Sequence, residues 1–410
     1  MKFVKGIVEE LPFHVVIPAS KTINFIALLF SLIAVGSISG YISNRVGFLY
    51  LPVCCVTLLY VLVGGINKLE KTFIVMYVAF FLSALMSNEI TFKPVLRFVL
   101  FFIITLLCGP CIYSKRAIIF RALTFRYILI LLSILTIGSF FAYFLGINCM
   151  QLVLSKDVDL SSSGTFSGFY NHSMMLGPLS TLVSIMFFNA YLISKKKLFI
   201  ILFFISASGV VLSASRASVL ALCVPILYTL FIFKDIKKNK LFVMLFSCLL
   251  LSIPVADRIT YGVLQKQENN INSGGTFSSR ESKWSNRWSE FNESPIFGIG
   301  FATVDSKNYE DYTEYSIEPG STHLSVLSMT GCLGILAYCL VILHSYKAIQ
   351  KEKNIIALNI LCMFIAMIVH ATFEGYALFG GSFLCFIYWL VIGQCADYKS
   401  LKQQELLCVD

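Results

Sequence analysis

Long apolar runs, separated by short clusters of Lys, Arg and Glu, organise this chain. An α-helix needs about 20 predominantly apolar residues to cross the roughly 30 Å hydrocarbon core of a bilayer. Apolar windows read against their charged breaks predict twelve helices, at 23–42, 46–66, 72–88, 95–113, 126–147, 173–193, 198–213, 217–233, 241–255, 322–346, 354–372 and 376–396. Two polar segments stand out, at about 148–172 and from Asp257 to Thr322, and loops of that length are uncommon without a function. The expected fold class is an all-α polytopic membrane protein of about twelve transmembrane helices with one long extracytoplasmic loop. Its divisions are 1–256 (helices 1–9), 257–321 (the loop) and 322–410 (helices 10–12 and a cytoplasmic tail).

Composition closes off other classes. Of 410 residues, 57% are hydrophobic and 13% charged, and mean hydropathy is +0.81. A soluble chain carries roughly a quarter charged residues, so a soluble enzyme, a disordered chain and a secreted disulfide scaffold are excluded. The net charge of +10 forms no single patch, and no nucleic-acid partner is expected. With Met1 inside, the inner segments hold 21 of the 32 cations and 8 of the 22 carboxylates. Lys- and Arg-rich short loops stay in the cytoplasm, which places both termini there and requires an even number of spans. The run from Ile23 lacks a small-residue cleavage site and reads as an anchor. No internal repeat is visible, which disfavours inverted-repeat transporter folds. Nearly all thirteen cysteines fall in spans or inside, so no disulfide is expected.

The candidate chemistry lies where the membrane meets the outside. Arg216, in Ser213-Ala214-Ser215-Arg216-Ala217-Ser218, joins two apolar runs. An arginine at that depth either meets an anion or snorkels to lipid phosphate. In the long loop, Arg280, Trp284, Arg287, Trp288 and Phe291 share one face at helical spacing, which describes an amphipathic helix at the membrane surface; a solvated loop helix is the alternative. Arg258 belongs to the same cationic loop. Guanidinium groups bind phosphate oxygens bidentately and keep their charge, so a cluster of them can hold a pyrophosphate without a metal. His323 opens an apolar helix, where it reads as a proton acceptor or as an interfacial cap residue. His172, and the pair His370 and Glu374 at i, i+4, are candidate pocket lining, as is Trp284.

Two other motifs carry less. Cys108-Gly109-Pro110-Cys111 matches C-x-x-C but lacks a strand-to-helix context. Asp157-Val158-Asp159 has metal-nucleotide spacing but falls on the outer side, beside Lys156, and reads as a loop charge pair. No zinc spacing, P-loop or redox-cofactor motif is present, so no metal and no cofactor are expected.

Taken in order, Ser-Ala-Ser-Arg216-Ala-Ser, Arg280 ahead of Ser294-Pro295-Ile296-Phe297-Gly298-Ile299-Gly300, and His323 with Gly331-Cys332-Leu333-Gly334 resemble the O-antigen ligase and polymerase (Wzy/WaaL-like) superfamily. Gly164-Thr165-Phe166-Ser167-Gly168 looks similar too, and the likeness covers about 160–345. The resemblance implies a metal-independent glycosyltransferase of GT-C-like architecture in the bacterial inner membrane, acting at the outer (periplasmic) face on undecaprenyl-pyrophosphate-linked oligosaccharides. Arg216 and Arg280 would hold the pyrophosphate leaving group, with Arg287 and Arg258 added by position, and His323 would act on the acceptor hydroxyl. Membrane lipid, a chain-length regulator and a flippase of the same pathway would be partners. In the ligase branch an Asn follows the loop histidine; Leu324 stands there here, which favours a repeat-unit polymerase of O-antigen or capsule over a ligase that moves glycan to lipid A core. A lipid-linked oligosaccharide flippase is the reading from another class. It would place cations deep in many spans, whereas here they sit at one edge.

Overall fold

The structure is a computed structural model describing residues 11, 20–87, 92–149, 166–232, 279–305, 320–352 and 354–403, without the side chains of 279–281 and 403. The predicted span 241–255, Arg258 and Asp157–Asp159 lie outside the described residues. The described chain is nearly all helical. In order it forms α1 (Lys21–Gly36), α2 (Ser43–Val63), β1 (Lys68–Leu69), α3 (Lys71–Leu85), α4 (Pro94–Cys108), β2 (Ile112–Tyr113) and α5 (Lys115–Phe144). There follow α6 (Ser173–Ser194), α7 (Lys197–Leu212), α8 (Arg216–Ile232), α9 (Ser279–Glu293), α10 (Thr322–Ile349), α11 (Ile355–Phe373) and α12 (Phe383–Gln403). Five of these, α2, α5, α6, α10 and α11, are long and apolar enough to cross a membrane.

Polar residues at the helix starts supply the orphan first-turn N–H groups with acceptors. Ser114 Oγ accepts from Ala117 N–H (3.1 Å), and Asn354 Oδ1 accepts from Ala357 N–H (2.8 Å). Outward-facing Phe48, Val63 and Phe231 are largely exposed, as suits a bundle whose surroundings are lipid.

Short turns at Lys195–Lys196 and Ser213–Ser215 fold α6, α7 and α8 into antiparallel neighbours. Asn189 of α6 donates to Asn359 of α11 (3.0 Å), and Thr229 of α8 meets Cys362 of α11 (3.1 Å). These ties place the C-terminal ends of α6 and α8 beside the start of α11, at an end rich in lysine. The short β1–β2 pairing joins the α2–α3 and α4–α5 turns at the same end.

The predicted 23–42 helix ends six residues early, at Gly36, and four further spans differ from the sequence expectation. The predicted 126–147 helix starts at Lys115, because Arg121, read as a break, is fully buried. Its Nε and Nη2 fork onto Asp397 of α12 at 2.6 and 2.9 Å, and Nη2 also donates to the Ile112 carbonyl (3.1 Å). The predicted 376–396 helix starts seven residues later, at Phe383, and runs on into the expected tail. There Thr322 Oγ1 accepts from Tyr376 N–H (3.2 Å), and a Cβ at Gly380 would fall 2.5 Å from the Phe101 backbone, so this apolar stretch packs as irregular chain. The predicted 95–113 helix ends at Cys108, before β2.

The last of these differences reshapes α10. Gly331 breaks it with φ 65° and ψ −166°. A straight helix would separate His323 from Tyr338 by about 22 Å along its axis, yet the Tyr338 hydroxyl lies 3.3 Å from His323 Nδ1. The first part, 322–330, is therefore turned sharply on the second. The Pro295–Gly300 segment of the long loop fills the break. Ile299 N–H donates to Ser328 O (3.0 Å), Gly300 N–H to Met329 O (3.1 Å), and Cys332 N–H to Pro295 O (2.8 Å). A Cβ on Gly331 would lie 2.3 Å from Ile296 O, and one on Gly298 2.3 Å from the Met329 carbonyl carbon, so only glycine allows this approach. Phe301 then enters the core, its ring 5.4–5.6 Å from those of Phe80, Phe98 and Phe101.

Candidate functional site

Arg216 is the first residue of α8, reached through Ala214 in a left-handed turn (φ 51°). Ser215 caps the helix: its Oγ accepts from Ser218 N–H (3.3 Å) and Ser218 Oγ (2.9 Å). Above that cap the first-turn N–H groups and the partial positive end of the helix favour an anion. The Arg216 side chain is exposed and has no carboxylate partner among the described residues. Gly177 of α6 holds this turn close, since a Cβ there would lie 2.5 Å from Ser218 Oγ and 2.8 Å from Ser213 Oγ. His172 sits one turn further along, at the start of α6, where its Nδ1 accepts from Met174 N–H (3.0 Å).

Helix counting places Arg216 level with the end of α11. From the Thr229–Cys362 contact, thirteen residues back along α8 rise about 20 Å, and twelve residues forward along α11 to Glu374 rise about 18 Å. At that level Thr322 binds the Glu374 carbonyl through N–H (3.1 Å) and Oγ1 (2.8 Å). The neighbouring His323 turns into the bundle. Its Nε2 is 3.3 Å from Ile368 O and its Nδ1 faces Tyr338, whose hydroxyl is bonded to that of Tyr388. Facing a carbonyl, Nε2 carries the ring hydrogen and Nδ1 accepts from the Tyr338 hydroxyl, so taking a proton from a substrate at Nε2 requires the ring to turn from Ile368 O and its hydrogen to pass to Nδ1. His370, close by, faces the Tyr376 hydroxyl (3.2 Å).

Helix α9 lies over this joint. Trp284 Nε1 donates to Gly320 O (3.2 Å), and its ring is 6.3 Å from that of Phe373. Arg280 is one turn towards the helix start, about 6 Å beyond Trp284 along the axis. The face presented inward is not the one expected. Arg287 and Glu290 are buried as an ion pair (Nη2 to Oε1, 2.7 Å) while Trp288 is 54% exposed. Arg287 Nη1 also reaches Ser328 Oγ (3.4 Å), and Glu290 Oε1 accepts from Asp305 N–H (3.0 Å). Burial pushes the Glu290 carboxyl up to about 7, against the pull of Arg287. Arg287 thereby ties α9 to α10 and the returning loop.

The structure thus gathers Arg216, His172, His323, Glu374, Trp284 and the backbone of Arg280 at one end of the bundle, and directs Arg287 inward. Tyr338, Tyr388 and Glu290 were not singled out in the sequence. A tyrosine within an apolar run was the only trace of the first two.

Comparison with known proteins adds a family. Residues 201–342, about a third of the chain, match the family model Wzy_C, described as O-Antigen ligase. No curated protein matches. The matched region runs from α7 through the Arg216 turn and α9 to the broken α10. Proteins of this family are glycosyltransferase-like enzymes that act on lipid-linked glycans. The Arg216 turn, the glycine-lined loop and the broken helix behind His323 all fall within the match, which supports a likeness to the O-antigen ligase/polymerase superfamily.

Proposed function

We propose that this protein is a metal-independent repeat-unit polymerase, moving a growing glycan from a polyprenyl pyrophosphate onto the hydroxyl of an incoming lipid-linked unit. The acceptor oxygen attacks C1 of the donor sugar, the C1–O bond to pyrophosphate breaks, and the leaving pyrophosphate carries off the electron pair. Arg216, with the open first turn of α8, accepts the developing charge, and Arg280 approaches from α9. Fixed cations aimed at a leaving group lower the barrier because they need no reorganisation as charge develops. His323 accepts the hydroxyl proton at Nε2 once the ring has left the Ile368 carbonyl and taken the tautomer with its hydrogen on Nδ1, which then donates to the Tyr338 hydroxyl. Arg258 is a further cation of this loop. The lysine-rich end is the cytoplasmic one in this reading, by the bias of basic loops to stay inside, and the Arg216 end faces outward in the inner membrane.

The observation that carries the reading is an exposed arginine at a capped helix start, level with the Thr322–Glu374 joint beside His323. Purified protein given two lipid-linked repeats and no other component should yield a two-repeat product, with divalent chelation having little effect. No product in that assay, with transport of lipid-linked units into vesicles, would identify a transporter. The description of the matched family favours ligase as the second reading. A deletion strain that retains single capped repeats supports polymerase, and one that accumulates finished lipid-linked polymer supports ligase.

A further inference from the structure

At the end of the bundle away from Arg216, a cleft of about 850 Å³ opens between β1–β2, the start of α5 and the ends of α10 and α12. Five lysines line it, Lys68, Lys115, Lys347, Lys351 and Lys399, against two glutamates. Both glutamates are engaged. Glu70 meets Lys68 (3.6 Å) and His344 (3.8 Å), and Glu352 binds Lys402 (2.7 Å). Lys115, Lys347, Lys351 and Lys399 are exposed and have no carboxylate partner among the described residues. Four ammonium groups converging on one concavity repel one another, and an anion placed between them relieves that repulsion.

The surface leading to the cleft gives the source of the anion. Along α10, Leu333, Leu336, Leu340 and Leu343 are exposed by 43, 62, 50 and 50%. Spaced by three and four residues, they form one stripe; Lys347 continues it at the next helical position, and Lys351, just past the helix end, lines the cleft. From Leu333 to Leu343 the helix rises about 15 Å, half of the roughly 30 Å hydrocarbon core and so the depth of one leaflet. An acyl chain fits the leucines while a phosphate reaches the lysines. Basic pockets between transmembrane helices are where anionic headgroups settle.

We propose that this cleft is a binding site for an anionic phospholipid, held by its phosphate between Lys115, Lys347, Lys351 and Lys399 with an acyl chain along the leucine stripe of α10. The site is separate from the Arg216 end and does not rest on the proposed reaction.

The full-length protein in nanodiscs of phosphatidylcholine containing a minor fraction of phosphatidylglycerol, released into native mass spectrometry, tests it. Wild type should retain phosphatidylglycerol in preference to phosphatidylcholine. The double variant Lys347→Ala/Lys399→Ala should weaken that retention by about 30-fold, the effect of removing two lysines from an anionic lipid surface. Lys347→Arg/Lys399→Arg should restore it and shows that the pair is not needed for folding. Lys195→Ala/Lys196→Ala, basic but outside the cleft, should leave it unchanged. Equal retention by wild type and the double alanine variant, or an equal loss in the Lys195/Lys196 control, overturns the site. Displacement of the lipid by millimolar inorganic phosphate reassigns the cleft to a free anion and overturns the lipid assignment.

Discussion

Arg121 and Arg216 are the same side chain put to opposite uses at the two ends of one bundle. Arg121 has no exposed surface and lies fork to fork with Asp397, a residue 276 positions away, so its charge is cancelled where it stands. Arg216 opens a helix, is exposed, and meets no carboxylate among the described residues. A buried charge must be paired to be tolerated, and the pair then pins α5 to α12. A charge left open keeps its field for a ligand. Arg287 falls with Arg121, since its partner Glu290 occupies it within the same helix.

That contrast can be broken in order of effect. Asp397→Ala strands a buried guanidinium and should destabilise the fold by about 3–5 kcal/mol, read as lost membrane abundance and a lower unfolding temperature in detergent; an unchanged protein would remove Arg121 from the structural class. Arg216→Ala should do the reverse, leaving abundance intact while elongation falls by roughly 100- to 1,000-fold, measured as chain length on glycan gels. Normal chains in that variant would end the leaving-group role.

Gly331→Ala tests the platform between these extremes. At φ 65° and ψ −166°, a conformation essentially confined to glycine, a Cβ costs about 1–3 kcal/mol before the clash with Ile296 O is counted. Elongation should drop with the protein still inserted, and cross-linking between cysteines placed at 299 and 328 should weaken. The smallest effect concerns Glu290. Its carboxyl sits near 7 in the folded protein against an ordinary 4.5, so the proton is bound more tightly when α9 is docked. The stabilisation this gives is complete below about 4.5 and is lost as pH rises through about 7. Amide exchange in α9, corrected for intrinsic rate, should therefore be slower at pH 5 than at pH 8. No difference, or the opposite order, would show that Arg287 holds Glu290 ionised.

Much of the bundle was legible because lipid imposes one rule on every span: a long apolar run has to satisfy its own backbone as a helix. The bounds of α6, α7, α8 and α11 lie within a residue of those expected. The same rule misled where charge or glycine intervened. Arg121 looked like a loop residue because its partner is in the last helix, and the diglycine at 380–381 gave no hint that Leu378 and Phe379 would pack outside a helix. For the candidate site, Arg216, Trp284 and His323 were visible as polar groups at the edges of apolar runs. The inward turn of Arg287 was not, since helical spacing tells which residues share a face but not which face docks.

By itself the sequence determined that this chain is built of long apolar runs suited to a membrane, that Arg216 and His323 lie at the edges of such runs, and that its motifs resemble in their order those of the O-antigen ligase/polymerase superfamily. Hydrophobic length and local spacing are properties of neighbouring residues, and they survive reading in one dimension. Only the tertiary structure decided that α10 breaks at Gly331, that Pro295–Gly300 fills the break, and that His323 rests against Tyr338 while Arg216 stays open. Those outcomes depend on backbone groups far apart in the chain finding partners in a medium with no water to substitute for them, and that matching happens only in three dimensions.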